Sequence, residues 1–311
     1  MKRDYEFGFI DGNIILRRNL SMFKSLIEEG KVGAEYLMGS ILCSILKIAR
    51  ESLNCERYFI LWDKKPYYKT LILQEGVGKS EYKINRPTES DKVAECIGKA
   101  KYLILCNAGK FGLTSIQYKG WEADDMAYLA SCQVIGRPKK SVLISYDSDW
   151  ESWMGPNTDY YNLWHDYVKT FDQMKISRPP INGYSVFQSK AIRDAMRGSH
   201  NNLKKTLKSE YSSVPTLEVL GAIEKGDYHH FKDYQLFQTQ LRTFDFTEYP
   251  EYDVVSKFLT SAYKQGSVAD LDEFRKLRDQ LKISRRQMSS KNYEAYRDKL
   301  NLKHWDKGRS L

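Results

Sequence analysis

The sequence predicts an α/β protein, with a mainly parallel central sheet covered by helices on both faces and a helical region after it. Three features predict it. Tyr58-Phe59-Ile60-Leu61-Trp62 and Ser141-Val142-Leu143-Ile144-Ser145 are short, continuous, largely apolar runs, as strands buried on both faces require. Between them lie longer segments whose apolar residues recur at helical spacing. An aspartate closes each of three apolar runs (Asp11, Asp63 and Asp147), at the sheet edge where open α/β folds bind ligands.

Taken in order, Tyr5, Phe7 and Phe9 alternate and lead through Ile10 to Asp11 as a strand, after which Gly12-Asn13 turns the chain. Ser21 to Leu53 carries Phe23, Leu26, Ile27, Leu37, Ile41, Leu42, Ile45 and Leu46, read as two helices interrupted near Gly30 and Gly33. The run ending at Trp62-Asp63 is the second strand. Thr88-Glu89-Ser90-Asp91 matches a capping box and starts a helix to about Lys101, and Tyr102 to Leu105 is expected as the third strand. A helix follows from Glu122, with Met126, Leu129 and Ala130 on its apolar face and Gly136 as its stop. Ser141 to Ser145 is the fourth strand. In the extended backbone expected beyond it, Asp147 and Asp149 would point to one side and serve one site.

Past Trp153 the pattern weakens: Pro156, Pro179, Pro180 and Gly183 mark loops, and a boundary is expected near Arg178, giving regions 1–178 and 179–311. Phe187 to Lys208 reads as a helix-loop-helix around Gly198, within a helix-turn-helix at about 185–210. It carries Lys190, Arg193, Arg197, Lys204, Lys205 and Lys208 against the single acid Asp194, as a clamp on a phosphate backbone would. From Tyr252 the chain is helical, with apolar Val255, Phe258, Leu259 and Tyr263.

Composition narrows the chemistry. Lysine and arginine outnumber aspartate and glutamate 49 to 40 in 311 residues, a net charge of +9 that suits an anionic partner. The five cysteines are odd in number and lack C-x-x-C spacing, so free thiols in a reducing cytoplasm are expected, not a zinc site or a disulfide framework. Nothing after Met1-Lys2-Arg3-Asp4 resembles a signal peptide, and Tyr36 to Ala49 contains Lys47 and is too short to span a bilayer. A cytoplasmic location without a membrane partner is the expectation. The five histidines lack metal-ligand spacing.

Against that basic background stands Gly120-Trp121-Glu122-Ala123-Asp124-Asp125, three carboxylates in four residues at a helix start. The helix dipole alone favours acids there. Together with Asp11, Asp63, Asp147 and Asp149, however, they form a set suited to holding cations. Lys64 to Arg86 supplies the opposite chemistry. Lys64, Lys65, Lys69, Lys79, Lys83 and Arg86 are interleaved with Tyr67, Tyr68 and Tyr82, as a single-stranded nucleic-acid path requires.

Ile10-Asp11-Gly12-Asn13, Trp62-Asp63, Tyr82-Lys83-Ile84-Asn85-Arg86, Glu122-Ala123-Asp124-Asp125 and Ser145-Tyr146-Asp147-Ser148-Asp149 occur in an order and spacing that resemble the flap endonuclease (5′-nuclease) family. The resemblance is to its bacteriophage ribonuclease H and 5′-3′ exonuclease branch, and it covers about the first half of the chain. A fainter likeness runs through Ala191 to Leu203 and Phe244-Asp245-Phe246. The resemblance implies a PIN-like 5′-nuclease fold and a magnesium-dependent phosphodiesterase, with manganese as a substitute and ribonuclease H-like activity. Its substrates would be 5′ flaps, nicks or RNA–DNA hybrids in phage-type replication or repair, and a single-strand-binding protein or a polymerase would be a candidate partner. It also implies Asp11, Asp63, Glu122, Asp124 and Asp125 at a first ion, directly or through water, and Asp147 and Asp149 toward a second. Lys83 and Arg86 would be catalytic on the scissile phosphate from an arch at about 64–87. Lys79 and Tyr82 in that arch, and Lys190, Arg193, Arg197, Lys204 and Lys205 beyond it, would bind the nucleic acid.

If a regular helix begins at Glu122, Glu122 and Asp125 share a face and Asp124 points away. Three departures stand out: Gly198-Ser199-His200-Asn201-Asn202 has Ser199 and Asn202 where the family has acids, a Gly-x-Gly hairpin is missing, and Glu151-Ser152 replaces an expected glutamine. Two alternatives therefore stand beside the nuclease: a PIN-like ribonuclease, and a nucleic-acid-binding protein with a degenerate second metal site.

Overall fold

A computed structural model describes residues 3–64, 67–77, 89–134, 140–198, 203–249 and 251–265. Its centre is a six-stranded sheet of β1 (Arg3–Asp11), β2 (Leu53–Trp62), β3 (Leu113–Gln117), β4 (Ser141–Ser145), β5 (Thr158–Asn162) and β6 (Tyr167–Lys169), in the order β3-β2-β1-β4-β5-β6. All neighbours pair in parallel except the antiparallel β5–β6 hairpin at one edge. Registers such as Ile10↔Ile60 and Ile10↔Ile144 bring the ends of β1, β2 and β4 level. The residues that follow these strands therefore meet at one edge.

The continuous apolar runs divide by strand periodicity between two cores. Ile60, Trp62, Val142 and Ile144 pack on one face against α1 (Gly12–Glu28), α2 (Ala34–Lys47) and α4 (Asp91–Asn107). Phe59, Leu61 and Leu143 point the other way, toward α5 (Ala123–Tyr128) and Val255 and Leu259 of α11 (Tyr252–Gln265). α3 (Tyr67–Val77), α6 (Ser148–Ser152) and α7 (Phe171–Ser177) complete this half. A third core gathers Ile192, Met196, Val219 and Phe237 from α8 (Val186–Arg197), α9 (Thr216–Glu224) and α10 (Tyr234–Arg242). The Gln235 amide of α10 donates to the Gly76 carbonyl of α3 at 3.0 Å, joining this bundle to the first half.

Several local expectations are corrected. Tyr102 to Leu105 is not a strand but the last turn and a half of α4. Leu103 and Ile104 continue the buried stripe of Val93, Cys96 and Ala100, while Tyr102 stands 66% exposed. A four-residue apolar run fits either period, and the third strand is Leu113–Gln117 instead. Ser90, not Thr88, caps α4, without a side-chain hydrogen bond, and Thr88 lies outside the described residues. Gly12-Asn13 is no turn, because α1 starts at Gly12 directly behind β1. The β5–β6 hairpin has no counterpart in the expectation, being short and polar at the sheet edge. Around Gly198 the described residues hold one helix, α8. Leu203 to Lys208 is non-helical, tied back by Thr206 N–H to the Met196 carbonyl at 2.9 Å.

Candidate metal centre

Asp11 ends β1 and caps α1. Its Oδ1 accepts the Ile14 amide at 3.0 Å and its Oδ2 the Ser145 hydroxyl at 3.0 Å. The strand passes straight into the helix because residue 12 has no side chain: a Cβ there would lie 2.6 Å from the Trp62 ring. Burial pushes the Asp11 carboxyl well above the usual carboxylate range, opposed by the Ile14 amide and reinforced by the charge of Asp63. Asp63 follows β2 and accepts the Ala123 amide on Oδ1 at 2.9 Å, which ties the end of β2 to the start of α5.

Glu122 is extended (φ −92°, ψ 157°) and caps α5, so Asp124 and Asp125 occupy the first turn alone. Ligand oxygens of Glu122, Asp124 and Asp125 lie within 4.8 Å of one another. Asp124, the residue a regular helix from Glu122 would have turned away, lines the cleft.

Asp147 caps α6 and accepts the Asp149 amide at 2.9 Å. The two acids are not an extended pair, since Asp149 is already in the helix, yet a tight cap brings both to the same cleft. Burial, then the neighbouring Asp149 charge, raises Asp147. The resulting cleft, about 310 Å³, is lined by Asp11, Asp63, Asp124, Asp147 and Asp149 together with Asn13, Arg17 and Lys101. Glu122 and Asp125 stand behind Asp124, 1% and 2% exposed.

Three lysines complete the centre, two of them assigned elsewhere from the sequence and one given no role there. Lys69, counted above among arch residues facing a nucleic-acid path, is 6% exposed and reaches Glu122 Oε2 at 2.6 Å and Asp125 Oδ1 at 2.7 Å. Lys101 donates to the Asp63 carbonyl at 2.6 Å and lies over the Trp62 ring, where burial lowers it to about 8. Lys190 does not clamp phosphate from outside. It pairs with Asp149 at 3.3 Å and with Asp194, and lies over the Trp153 ring. Burial disfavours the Lys190 charge, but the two acids outweigh it and raise its pKa, while burial raises that of Asp194. A signal for Lys69 and Lys101 existed, since each stands just before an apolar run, Leu71-Ile72-Leu73 and Tyr102 to Leu105.

The other basic residues separate. Arg193 donates to the Pro179 carbonyl, and Arg197 to the Thr216 hydroxyl and the Val214 carbonyl, so both guanidiniums are structural struts. Lys205 is half-buried on Ser212, and Lys204 is exposed. Lys79, Tyr82, Lys83, Arg86, Ser199 and Asn202 lie outside the described residues.

No protein-family model matches the chain, and no curated protein matches it significantly. Solved structures do. The bacteriophage T5 D15 protein co-crystallised with metal ions aligns with a TM-score of 0.53 at 17% identity, over 89% of this chain and 99% of that one. A T5 D15 flap endonuclease variant in complex with DNA and metal ions aligns at 0.52 and 17%, over 95% and 100%. A T5 5′-exonuclease with bound zinc ions aligns at 0.52 and 17%, over 89% and 99%. At this level of identity the likeness is one of architecture: the chain has the PIN-like 5′-nuclease fold of the T5 enzyme.

Proposed function

We propose that the protein is a metal-dependent 5′ nuclease acting on DNA flaps, nicks or RNA–DNA hybrids, with magnesium as the working ion and manganese as a substitute. The observation that carries this reading is the convergence of Asp11, Asp63, Asp124, Asp147 and Asp149 on one cleft at the carboxyl ends of β1, β2 and β4. The donor set fits the ion, since magnesium takes hard oxygen ligands and keeps several waters. Asp11, Asp63, Glu122, Asp124 and Asp125 would hold the first ion, directly or through water, and Asp147 and Asp149 would face the second. Ions bound there supply Lewis acidity toward water and the phosphodiester.

The chain's own residues do the rest. Asp63 and Asp11 are locked by backbone and hydroxyl donors, so their oxygens are positioned before a ligand arrives. Lys101 and Arg17 place positive charge on the cleft wall, where a phosphate would enter. Lys83 and Arg86 retain their proposed role on the scissile phosphate. The family acids replaced by Ser199 and Asn202, and the pairing of Lys190 with Asp149, support a second ion held more weakly than the first.

The test is cleavage of labelled flap, nicked duplex and RNA–DNA hybrid with and without magnesium, by the native protein and by Asp63→Asn. Magnesium-dependent cutting near 5′ ends that Asp63→Asn abolishes, with binding retained, is expected. Undiminished turnover by the variant, or no cutting of any substrate, would sink the reading. Cutting of RNA alone would select the PIN-like ribonuclease.

A further inference from the structure

The β5–β6 hairpin holds a tryptophan out to solvent on the α1 side of the cleft. Trp164 is 68% exposed, whereas Trp62, Trp121, Trp150 and Trp153 are at most 2% exposed. The backbone beneath it is fixed. Asn162 Oδ1 accepts the amides of Trp164 at 2.9 Å and His165 at 3.0 Å, and the Arg18 guanidinium donates to the Leu163 carbonyl at 2.6 Å. Asp166, at φ 54°, accepts the Ser52 hydroxyl at 2.8 Å and the Tyr161 hydroxyl.

The turn is also joined to the metal centre. Leu163 N–H donates to the Ser145 carbonyl at 2.9 Å, and the Ser145 hydroxyl donates to Asp11. Tyr146, between Ser145 and Asp147, meets the Trp164 ring edge-on at 6.1 Å and 76°. Arg17, exposed and lining the cleft, precedes the Arg18 that clamps the turn.

We propose that Tyr146 and Trp164 form a stacking platform for an unpaired nucleobase of the strand whose phosphate enters the carboxylate cleft. This rests on the nuclease reading and extends it to a nucleotide beside the scissile one. A single exposed aromatic residue is ordinary. An aromatic pair with Trp164 on a turn fixed by hydrogen bonds to its backbone, Tyr146 next in sequence to Asp147 of the cleft and the exposed Arg17 on the cleft wall, has the chemistry of single-strand recognition: rings for bases, charge for phosphates. Stacking of this kind reads no base identity, since every base has a π-face.

The test uses the full chain in EDTA, so that DNA binds uncut, with a duplex carrying a 5′ single-stranded tail as the probe. Trp164 emission, taken as the difference between the native protein and Trp164→Phe, should be quenched by the tailed duplex and not by a blunt one. Trp164→Ala should weaken binding about tenfold and Trp164→Phe less than about threefold, with thermal melting unchanged for both. An abasic nucleotide at the contacted position should cost the same, and its effect should not add to that of Trp164→Ala. Unchanged emission with native affinity in Trp164→Ala, no DNA binding at all, or a dimer that dissociates on Trp164→Ala would each overturn the platform. Cleavage in magnesium is read separately: quenching without cutting leaves the platform standing and removes the nuclease reading, and cutting without quenching does the reverse.

Discussion

Asp11 shows how one residue serves fold and site in opposition. As the cap of α1 it stabilises the helix, yet its buried charge is costly in the metal-free protein. Because burial raises its pKa in the folded state, its favourable contribution is complete below the ordinary carboxylate range and is lost as pH rises through the raised value. Asp11→Asn keeps a capping side chain and removes the charge. It should raise the metal-free melting temperature at neutral pH, by the equivalent of about 1–3 kcal/mol, flatten the decline with rising pH, and abolish cleavage. Thermal melts from pH 5 to 8 in EDTA check the first two, and a variant no more stable than the native protein would contradict them.

Lys69 works the other way. It neutralises part of the Glu122–Asp125 charge, and a buried pair that loses one partner costs about 3–5 kcal/mol. Lys69→Met should therefore lower the metal-free melting temperature while enlarging the gain that saturating magnesium restores. Equal magnesium shifts in both proteins would show that the lysine and the ion do not share the same negative charge. Asp11, Asp63 and Asp147 stood out in the sequence because each follows an apolar run. The lysines did not: a lysine in a one-dimensional pattern reads as solvated, and only the packing of α3 against α5, or of α8 against α6, brings it to an acid.

At the scale of elements, the runs at 58–62 and 141–145 were readable because both faces of a central parallel strand are buried. Tyr102 to Leu105 was misread because four apolar residues do not fix a period, and Thr158–Asn162 was missed because a five-residue strand with Thr158, Asp159 and Asn162 in it carries a weaker apolar signal. The basic stretch from Lys190 to Lys205 held a similar ambiguity, since composition does not say which cations face out. Arg197 braces α8 against Thr216 and Val214, whereas Lys204 is exposed. Arg197→Ala should thus lower stability by about 1 kcal/mol by leaving two half-buried acceptors without their donor. Lys204→Ala should leave melting unchanged and reduce the salt slope of DNA binding by about one contact. Titrations at several salt concentrations, paired with melts, separate the two. A salt slope altered by Arg197→Ala alone would reverse the assignment.

For the whole molecule, the order of strands has a consequence in time. β1, the strand that carries Asp11, lies inside the sheet between β2 and β4, yet β4 begins only at Ser141. On the ribosome, β1 and β2 can pair early, but the other edge of β1 stays open until most of the first half has emerged. Pairing over so long a separation is slow, and an unpaired apolar edge invites other chains. A chain ended at residue 134 should therefore aggregate, and one carried through α11 should not, as solubility after refolding would show. The centre that gathers Asp11 and Asp147 cannot, for the same reason, exist before β4 has emerged.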